Sequence, residues 1–201
     1  MDRRRLSITI KTRVPVRVSV YFVGMIALCF AAGPIWRLGA GLAFAALHEA
    51  GHLAAMAVLR IRPSGVSLTA AGMRIERPPG LQVSFPREIA VALAGPAVSL
   101  LLAGLFYALH RAVPSRLTPD LSLLNLGFGL FNLLPVRQLD GGRALYFLLC
   151  RRVSETTAAR VITITSLACL FLAAGGAALL CLRGGFSISL VIAVLYLAAG
   201  C

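Results

Sequence analysis

The sequence has few charged residues, and very few of them are acidic. Of its 201 residues, 13% are Asp, Glu, Lys or Arg, and only seven are acidic. Soluble domains carry about 25% charged residues, so this composition excludes an ordinary soluble domain. Apolar residues make up 59% of the chain, and its mean hydropathy is +0.87. The composition therefore predicts a membrane protein.

The cysteines indicate neither a disulfide framework nor a CxxC metal site. They are odd in number and lie within apolar stretches or at their ends: Cys29, Cys150, Cys169, Cys181 and Cys201. Free cysteines in such surroundings usually behave as small buried apolar residues. We therefore expect them to contribute packing and no chemistry.

The net charge of +13 would favour nucleic acid as a partner if the basic residues were clustered on one surface. Instead they follow the membrane topology. If the chain crosses six times with both termini in the cytoplasm, sixteen basic residues lie inside and four outside, namely Arg37, Arg111, Arg116 and Arg183. Positive residues accumulate in short cytoplasmic loops. The split predicts cytoplasmic termini and contact with anionic lipids of the bilayer, and it argues against nucleic acid.

Six apolar stretches approach the roughly 20 residues that a membrane-spanning helix needs. They are 17–36, 38–59, 87–110, 120–135, 161–182 and 185–201. The first lacks a small-residue cleavage site and is predicted to be an anchor, not a signal peptide. No connecting loop is long enough for a second domain. The pattern therefore predicts an all-α polytopic membrane protein with about six transmembrane helices, folded as one domain over 1–201.

The longest connecting stretch, 60–86, carries a strand-like pattern. Val66 and Leu68 alternate with polar residues, as do Met73 and Ile75, and the two runs flank a Gly-containing turn. Alternation with period 2 on both sides of such a turn is typical of a β-hairpin. We therefore predict a short membrane-associated β-hairpin here, and an ordinary basic loop remains the alternative.

Two of the three histidines lie in the middle of the apolar run 38–59, in the hexapeptide "LHEAGH". His48 and His52 are four residues apart, so on a helix their rings project from one face on adjacent turns. Two imidazoles at that spacing can bind one zinc ion, with Glu49 close enough to act as a base. Strongly polar groups at bilayer depth cost about 2.5 kcal/mol or more. Metal binding would offset that cost, and a hydrogen-bonded histidine pair in a hydrated interior is the alternative.

A second polar stretch, "LFNLLPVRQLDGGR" over 130–143, interrupts the fourth apolar run. Pro135 breaks a helix, and Gly141 and Gly142 permit a tight turn after Asp140. A broken helix is tolerated at membrane depth only where it faces protein or a water-filled cavity. Asp140 is therefore a candidate third ligand, because two histidines, one carboxylate and an open position are typical of catalytic zinc. The alternative is a carboxylate that caps the following helix.

Together, the two motifs resemble the paired motifs of the site-2 protease family of intramembrane zinc metalloproteases. The surrounding "FNLLPVRQLDGGRALYFLL" is similar to the sporulation branch, which processes a membrane-associated pro-sigma factor. The resemblance implies that His48, His52 and Asp140 bind Zn²⁺ and that Glu49 is the general base. It also implies a zinc metalloendopeptidase in the bacterial cytoplasmic membrane, with its active site opening towards the cytoplasm.

The resemblance further implies how substrate is bound. Asn132 and Pro135 fall where the family contacts or positions the substrate segment. The expected substrate is a membrane-tethered protein such as a pro-sigma factor, and small membrane inhibitor proteins are expected partners. We also predict that the hairpin at 66–75 offers an edge strand that holds an unwound substrate segment by β-augmentation.

The chain also departs from the family pattern. Ser99 stands where the family often has Asn in a Gly-Pro-x-x-Asn motif, of which Gly95 and Pro96 are kept. Neither a PDZ-like nor a CBS domain is expected within 1–201. Two other classes remain as alternatives. A metal-binding transporter predicts polar residues spread along the spans, and an inactive scaffold predicts an incomplete ligand set.

Overall fold

A computed structural model describes most of the central part of the chain. The described residues are 7–10, 16–19, 35–69, 72–76 and 83–183, together with positions 194 and 198. The chain divides into two compact units, Met1–Val83 and Ser84–Cys201. Each unit is described by itself below.

The first unit contains a four-stranded sheet. Its strands are β1 (Ser7–Ile10), β2 (Val16–Ser19), β3 (Gly65–Thr69) and β4 (Gly72–Glu76). They lie in the order β1-β2-β3-β4, and only the β2–β3 pair is parallel. In the antiparallel β3–β4 pair, Val66 lies opposite Ile75 and Leu68 opposite Met73, which is where the alternation predicts a hairpin. Association of this hairpin with the membrane stays a prediction.

The sheet corrects one prediction. The span predicted at 17–36 begins in strand β2, because the "VRVS" run of alternating β-branched and polar residues favours a strand. Most of the rest of that span lies outside the described residues. Strand β3 is paired on both sides, with β2 and with β4, so the edge strand that the hairpin offers is β4, and its binding of substrate stays a prediction. In the described sheet, the edges are β1 and β4.

The same unit contains helix α1 (Ile35–Val58), which carries the histidine pair. The helix ends in a Schellman motif: the Ile61 N–H donates to the Met56 carbonyl at 2.8 Å, and the Arg60 N–H donates to Ala57 at 3.1 Å. Met56 and Ile61, both buried, supply the apolar pair that accompanies this motif. Arg60 adopts φ 56°, a left-handed conformation that costs an L-residue about 1–2 kcal/mol.

The second unit is helical in its described part. Its helices are α2 (Phe85–Ala112), α3 (Leu117–Asn132), α4 (Asp140–Cys150) and α5 (Glu155–Leu182). Two of their N-termini follow ordinary sequence signals: α2 has Pro in its first turn. For α5, the Ser154 hydroxyl accepts a hydrogen bond from the Thr157 N–H at 3.3 Å.

Three of the six predicted spans coincide with helices that are long and apolar enough to cross a membrane. Among the described residues these are Gly39–Val58, Phe85–Ala112 and Glu155–Leu182. The stretch predicted at 120–135 forms α3, whose 16 residues are fewer than the roughly 20 that a span needs. The stretch predicted at 185–201 lies outside the described residues except for two positions. A total of six spans therefore stays a prediction.

Helices α2 and α3 approach closely at small residues. A Cβ atom placed on buried Gly129 would lie 3.1 Å from the Leu100 Cδ2 and 3.2 Å from the Ser99 Cβ. The Ser122 hydroxyl donates to the Ala103 carbonyl across the same pair of helices at 2.8 Å. Small residues at such contacts permit close packing of membrane helices. Ser99 is thus placed in the contact between α2 and α3.

We expect Gly129→Leu to destabilise the α2–α3 pair by about 1–3 kcal/mol, because a large side chain would have to displace Ser99 and Leu100. The measurement is the thermal melting temperature of the purified protein in detergent. Gly127→Leu is the matched control, since Gly127 lies on the same helix and has nothing within 4 Å of its Cβ position. Equal melting temperatures for the two variants would contradict the prediction.

Candidate metal centre

The two histidines of "HEAGH" converge on one side of α1. Their Nε2 atoms lie 3.3 Å apart, and their rings meet edge to face with centroids 5.0 Å apart and an interplanar angle of 75°. His48 is 2% exposed and His52 is 5% exposed. The predicted placement of both rings on one helix face is therefore what the structure shows.

The separation of the two nitrogens fits a shared metal ion. Tetrahedral zinc with Zn–N bonds of about 2.0–2.1 Å places two ligand nitrogens about 3.3–3.4 Å apart. A direct N–H···N hydrogen bond between neutral rings is the competing arrangement, and the same 3.3 Å separation allows it. The geometry of the histidine pair is therefore compatible with a shared zinc ion and with a hydrogen bond.

Glu49 follows His48 directly and is half-buried. With 3.6 residues per turn, adjacent side chains point about 100° apart. Glu49 therefore cannot share the face of the two histidines, but its carboxylate stays on the same turn as His48. This placement suits a group that accepts a proton beside the metal site. It does not suit a third metal ligand on the face of the two histidines.

Asp140 is the first residue of α4 and is half-buried. The two glycines after it allow the start of this helix to lie against the preceding turn. A Cβ atom on Gly141 would collide with the backbone carbonyl of Leu133, and one on Gly142 would collide with that of Val136. Because both obstacles are backbone atoms, no side-chain rearrangement can make room. The close approach explains why "DGG" follows the break in the apolar run.

Helix α5 holds the turn 133–139 that leads to Asp140. The Thr165 hydroxyl donates to the Pro135 carbonyl at 2.8 Å, and the Arg137 N–H donates to the Ser166 hydroxyl oxygen at 3.0 Å. Ser166 in turn donates to Ile162 at 2.7 Å. These two hydroxyls satisfy backbone groups that a broken helix leaves without helical partners.

Apolar packing supports the same turn. Val136 and Leu139 are buried, and partly buried apolar residues pack against them: Phe131, Leu134, Cys169, Leu170 and Ala173. Cys169 thus contributes packing, as expected. Sequence reasoning missed Thr165 and Ser166, although adjacent hydroxyl residues in the middle of an otherwise apolar span are a signal that could have identified them.

We expect the double substitution Thr165→Val and Ser166→Ala to increase amide hydrogen exchange in the turn 133–139. Each lost hydrogen bond is worth about 1 kcal/mol, so the loss of both should raise exchange about thirtyfold. Exchange mass spectrometry on the intact protein measures this effect. Thr163→Val is the control, because its hydroxyl bonds to the Ala159 carbonyl of its own helix at 3.0 Å. Unchanged exchange in the double variant would show that the apolar packing alone holds the turn.

The two residues predicted to contact substrate lie next to this turn. Asn132 is the last residue of α3, and its Nδ2 donates to the Phe128 carbonyl of the same helix at 2.9 Å. Pro135 lies inside the turn, where its carbonyl accepts the Thr165 hydrogen bond. Their role in substrate binding stays a prediction.

The resemblance implies His48, His52 and Asp140 as metal ligands, and this ligand set stays a prediction. The donor set of two imidazoles and one carboxylate is one that zinc accepts, and it leaves a fourth position open. Structural zinc sites use four protein ligands, so three ligands are typical of a catalytic site. The chemistry of these donors therefore fits the predicted zinc cofactor.

Comparison with known proteins points to the same chemistry. Residues 111–173 match the family model "Peptidase family M50". The protein named "Putative zinc metalloprotease Rip3" of Mycobacterium tuberculosis, in strains Erdman and H37Rv, is 33% identical over 145 residues. The alignment covers 63% of this chain and 35% of that protein, so the chain spans about a third of the length of this curated relative.

A solved structure shares the fold. The "Site-2 Protease from Methanocaldococcus jannaschii" superposes with a TM-score of 0.69 at 21% sequence identity, covering 96% of this chain and 93% of that one. At this identity, the likeness shows a site-2-protease fold. Parts of the chain are thus similar to an M50 peptidase model and to a putative zinc metalloprotease, and its fold is that of a site-2 protease. That family is integral to the membrane, which the three apolar helices fit.

Proposed function

We propose that this chain is an intramembrane zinc metalloprotease. It hydrolyses a peptide bond in or near the membrane segment of a membrane-tethered protein. The observation that carries the proposal is the buried pair of imidazoles with Nε2 atoms 3.3 Å apart. The match of residues 111–173 to peptidase family M50 and the site-2-protease fold support it independently of that distance.

In this proposal, His48, His52 and Asp140 hold the zinc ion. When bound, zinc supplies a Lewis acid and lowers the pKa of a water molecule towards neutrality. Neutral imidazoles and an ionised carboxylate leave the site with one net positive charge. That charge favours the developing oxyanion of peptide hydrolysis over the uncharged peptide.

Glu49 has the proton-transfer role. Its carboxylate accepts a proton from the attacking water and then delivers that proton to the leaving amine nitrogen. The same carboxylate can perform both steps, because it takes up the proton in the first step and releases it in the second. No other acidic residue lies within the run 38–59, so the base assignment does not compete with another carboxylate on α1.

The turn 133–139 is the proposed contact for substrate. A membrane-spanning substrate is normally helical, and it must unwind before its peptide bond is accessible. Asn132 and Pro135 stand at the end of α3 and inside the turn, where the helix has already been broken. A break in a spanning helix is tolerated only where it faces protein or a water-filled cavity, and an unwound substrate segment needs the same surroundings.

The finer identity of the substrate rests on sequence resemblance to the sporulation branch. We infer that the substrate is a membrane-associated pro-sigma factor, and that small membrane proteins act as inhibitors. The proposed orientation has both termini in the cytoplasm and the active site opening to that side, in keeping with the distribution of basic residues.

The test is cleavage of two co-expressed membrane-tethered substrates by the wild-type protein, one a pro-sigma factor and one an unrelated regulator. A zinc chelator should stop cleavage, and added zinc should restore it. Cleavage of the regulator alone would refute the sporulation assignment but not the protease. If the protein binds zinc and cleaves neither protein, even after reconstitution in bilayers, a metal-binding transporter or scaffold becomes the better reading.

A further inference from the structure

A cavity of about 440 Å³ lies at the C-terminal end of α1. Its lining combines aliphatic side chains with two guanidinium groups: Leu53, Met56, Ala57, Ile61, Arg60 and Arg62. We call this cavity the α1-end pocket. Its volume is within the range of about 300–1,000 Å³ that is usual for small-molecule sites. The pocket lies wholly in the first unit and contains none of the proposed zinc ligands.

The lining of the α1-end pocket has an unbalanced charge. Arg60 and Arg62 contribute two positive charges, and none of the described lining residues carries a carboxylate. Guanidinium groups bind phosphate oxygens through paired hydrogen bonds. The aliphatic residues of the lining suit a hydrocarbon chain. The lining therefore matches a ligand that is anionic at one end and apolar at the other.

Arg60 occupies a backbone conformation that glycine would adopt without strain. It is the residue after the helix C-cap in the Schellman motif, with φ 56°, where glycine is the common choice. Among the described residues, it alone is a non-glycine with positive φ. Strained conformations of this kind concentrate at functional sites. A guanidinium at this position therefore has a cost in stability that a ligand contact would explain.

The pocket is also placed where lipid headgroups would be found. It adjoins the end of the apolar segment Gly39–Val58, which is long enough to cross a membrane. Arg60 is eight residues beyond His52, which is about 12 Å along a helix axis. Basic residues directly beyond a spanning segment are attracted to anionic lipid, by about 1 kcal/mol each.

We propose that the α1-end pocket binds the headgroup of an anionic phospholipid. Arg60 and Arg62 hold the phosphate, and the acyl chain lies along the aliphatic residues of the lining. Bound lipid would fix the end of the helix that carries His48 and His52 at a defined depth. The proposal concerns binding alone and does not depend on the proposed protease activity.

The experiment is a titration of the purified full chain, in zwitterionic detergent, with fluorescent phosphatidylglycerol. The double substitution Arg60→Gln and Arg62→Gln should weaken binding about thirtyfold. The control is Arg151→Gln with Arg152→Gln, an equally exposed pair of arginines, which should stay within about twofold of the wild type. Arg60→Gly is a second test: it relieves the strained backbone, so it should raise the melting temperature while still weakening lipid binding.

Two competitors identify the ligand. Phosphatidylcholine should not displace the fluorescent lipid, and millimolar inorganic phosphate should displace it only weakly, because neither presents both an anionic headgroup and an acyl chain. Complete displacement by inorganic phosphate would overturn the lipid assignment in favour of free phosphate. Wild-type binding by Arg60→Gly and by the double variant, or equal binding of phosphatidylcholine, would overturn the site itself.

Discussion

Glu49→Gln is expected to abolish cleavage while the protein keeps its zinc. Glutamine has nearly the same shape as glutamate, and the substitution leaves His48, His52 and Asp140 in place. It removes the proton acceptor, and general base catalysis typically contributes about 10²–10⁴-fold to a rate. The expected loss in kcat is therefore about 10²–10⁴-fold. The measurement is cleavage rate and zinc content on the same purified sample.

The control for this substitution is Glu155→Gln. Glu155 is an exposed acidic residue in the first turn of α5, and its charge interacts with the helix dipole by about 0.3–1 kcal/mol. Its loss should leave cleavage unchanged. Glu49→Gln with wild-type activity would eliminate the base assignment. Loss of zinc together with loss of activity would instead show that Glu49 is needed for zinc binding.

Substitution of either glycine after Asp140 is the second prediction with a large expected effect. Gly141→Ala or Gly142→Ala should destabilise the protein by about 3 kcal/mol or more. Each substitution should also abolish both zinc binding and cleavage. An alanine methyl at either position would collide with a backbone carbonyl, that of Leu133 or that of Val136. Such a collision is relieved only by moving the start of α4, which carries Asp140. Overpacking that shifts the backbone has a destabilising effect at the upper end of the range for such substitutions.

The controls are Gly175→Ala and Gly176→Ala in α5. Both glycines are exposed and have nothing within 4 Å of their Cβ positions. Alanine there should be neutral or stabilising by up to about 1 kcal/mol, because it favours helix over glycine. Melting temperature and zinc content are measured for all four variants. Wild-type values for Gly141→Ala would show that the turn 133–139 can move without loss of the metal site.

The structure supports predictions that rest on local periodicity. Four residues separate His48 from His52 on any helix, so their shared face follows from the spacing alone. The strand alternation on either side of 70–71 likewise falls on the paired strands β3 and β4. In both cases the interacting residues are near in sequence, and a regular backbone brings them together without help from the rest of the fold.

Predictions that needed partners from distant parts of the chain were incomplete. The alternation at 66–75 indicates a hairpin but not that β2 would pair with β3 across more than forty residues. The alternation also does not indicate which of the two hairpin strands lies at the edge of the described sheet, which is β4. The Thr165 hydroxyl donates to the Pro135 carbonyl, and the Ser166 hydroxyl oxygen accepts from the Arg137 N–H. These bonds join residues about thirty positions apart, and no local pattern specifies such a contact.

The amino-acid sequence by itself determined the membrane class, the histidine pair, and the break in the apolar run that precedes Asp140. Composition and helical periodicity are properties of neighbouring residues, and they hold before any packing occurs. Only the tertiary structure decided why two glycines must follow Asp140, which hydroxyls hold the turn 133–139, and that Arg60 and Arg62 line one pocket. Those features depend on close approach of backbone and side chains, and steric exclusion acts only between atoms that the fold has brought into contact.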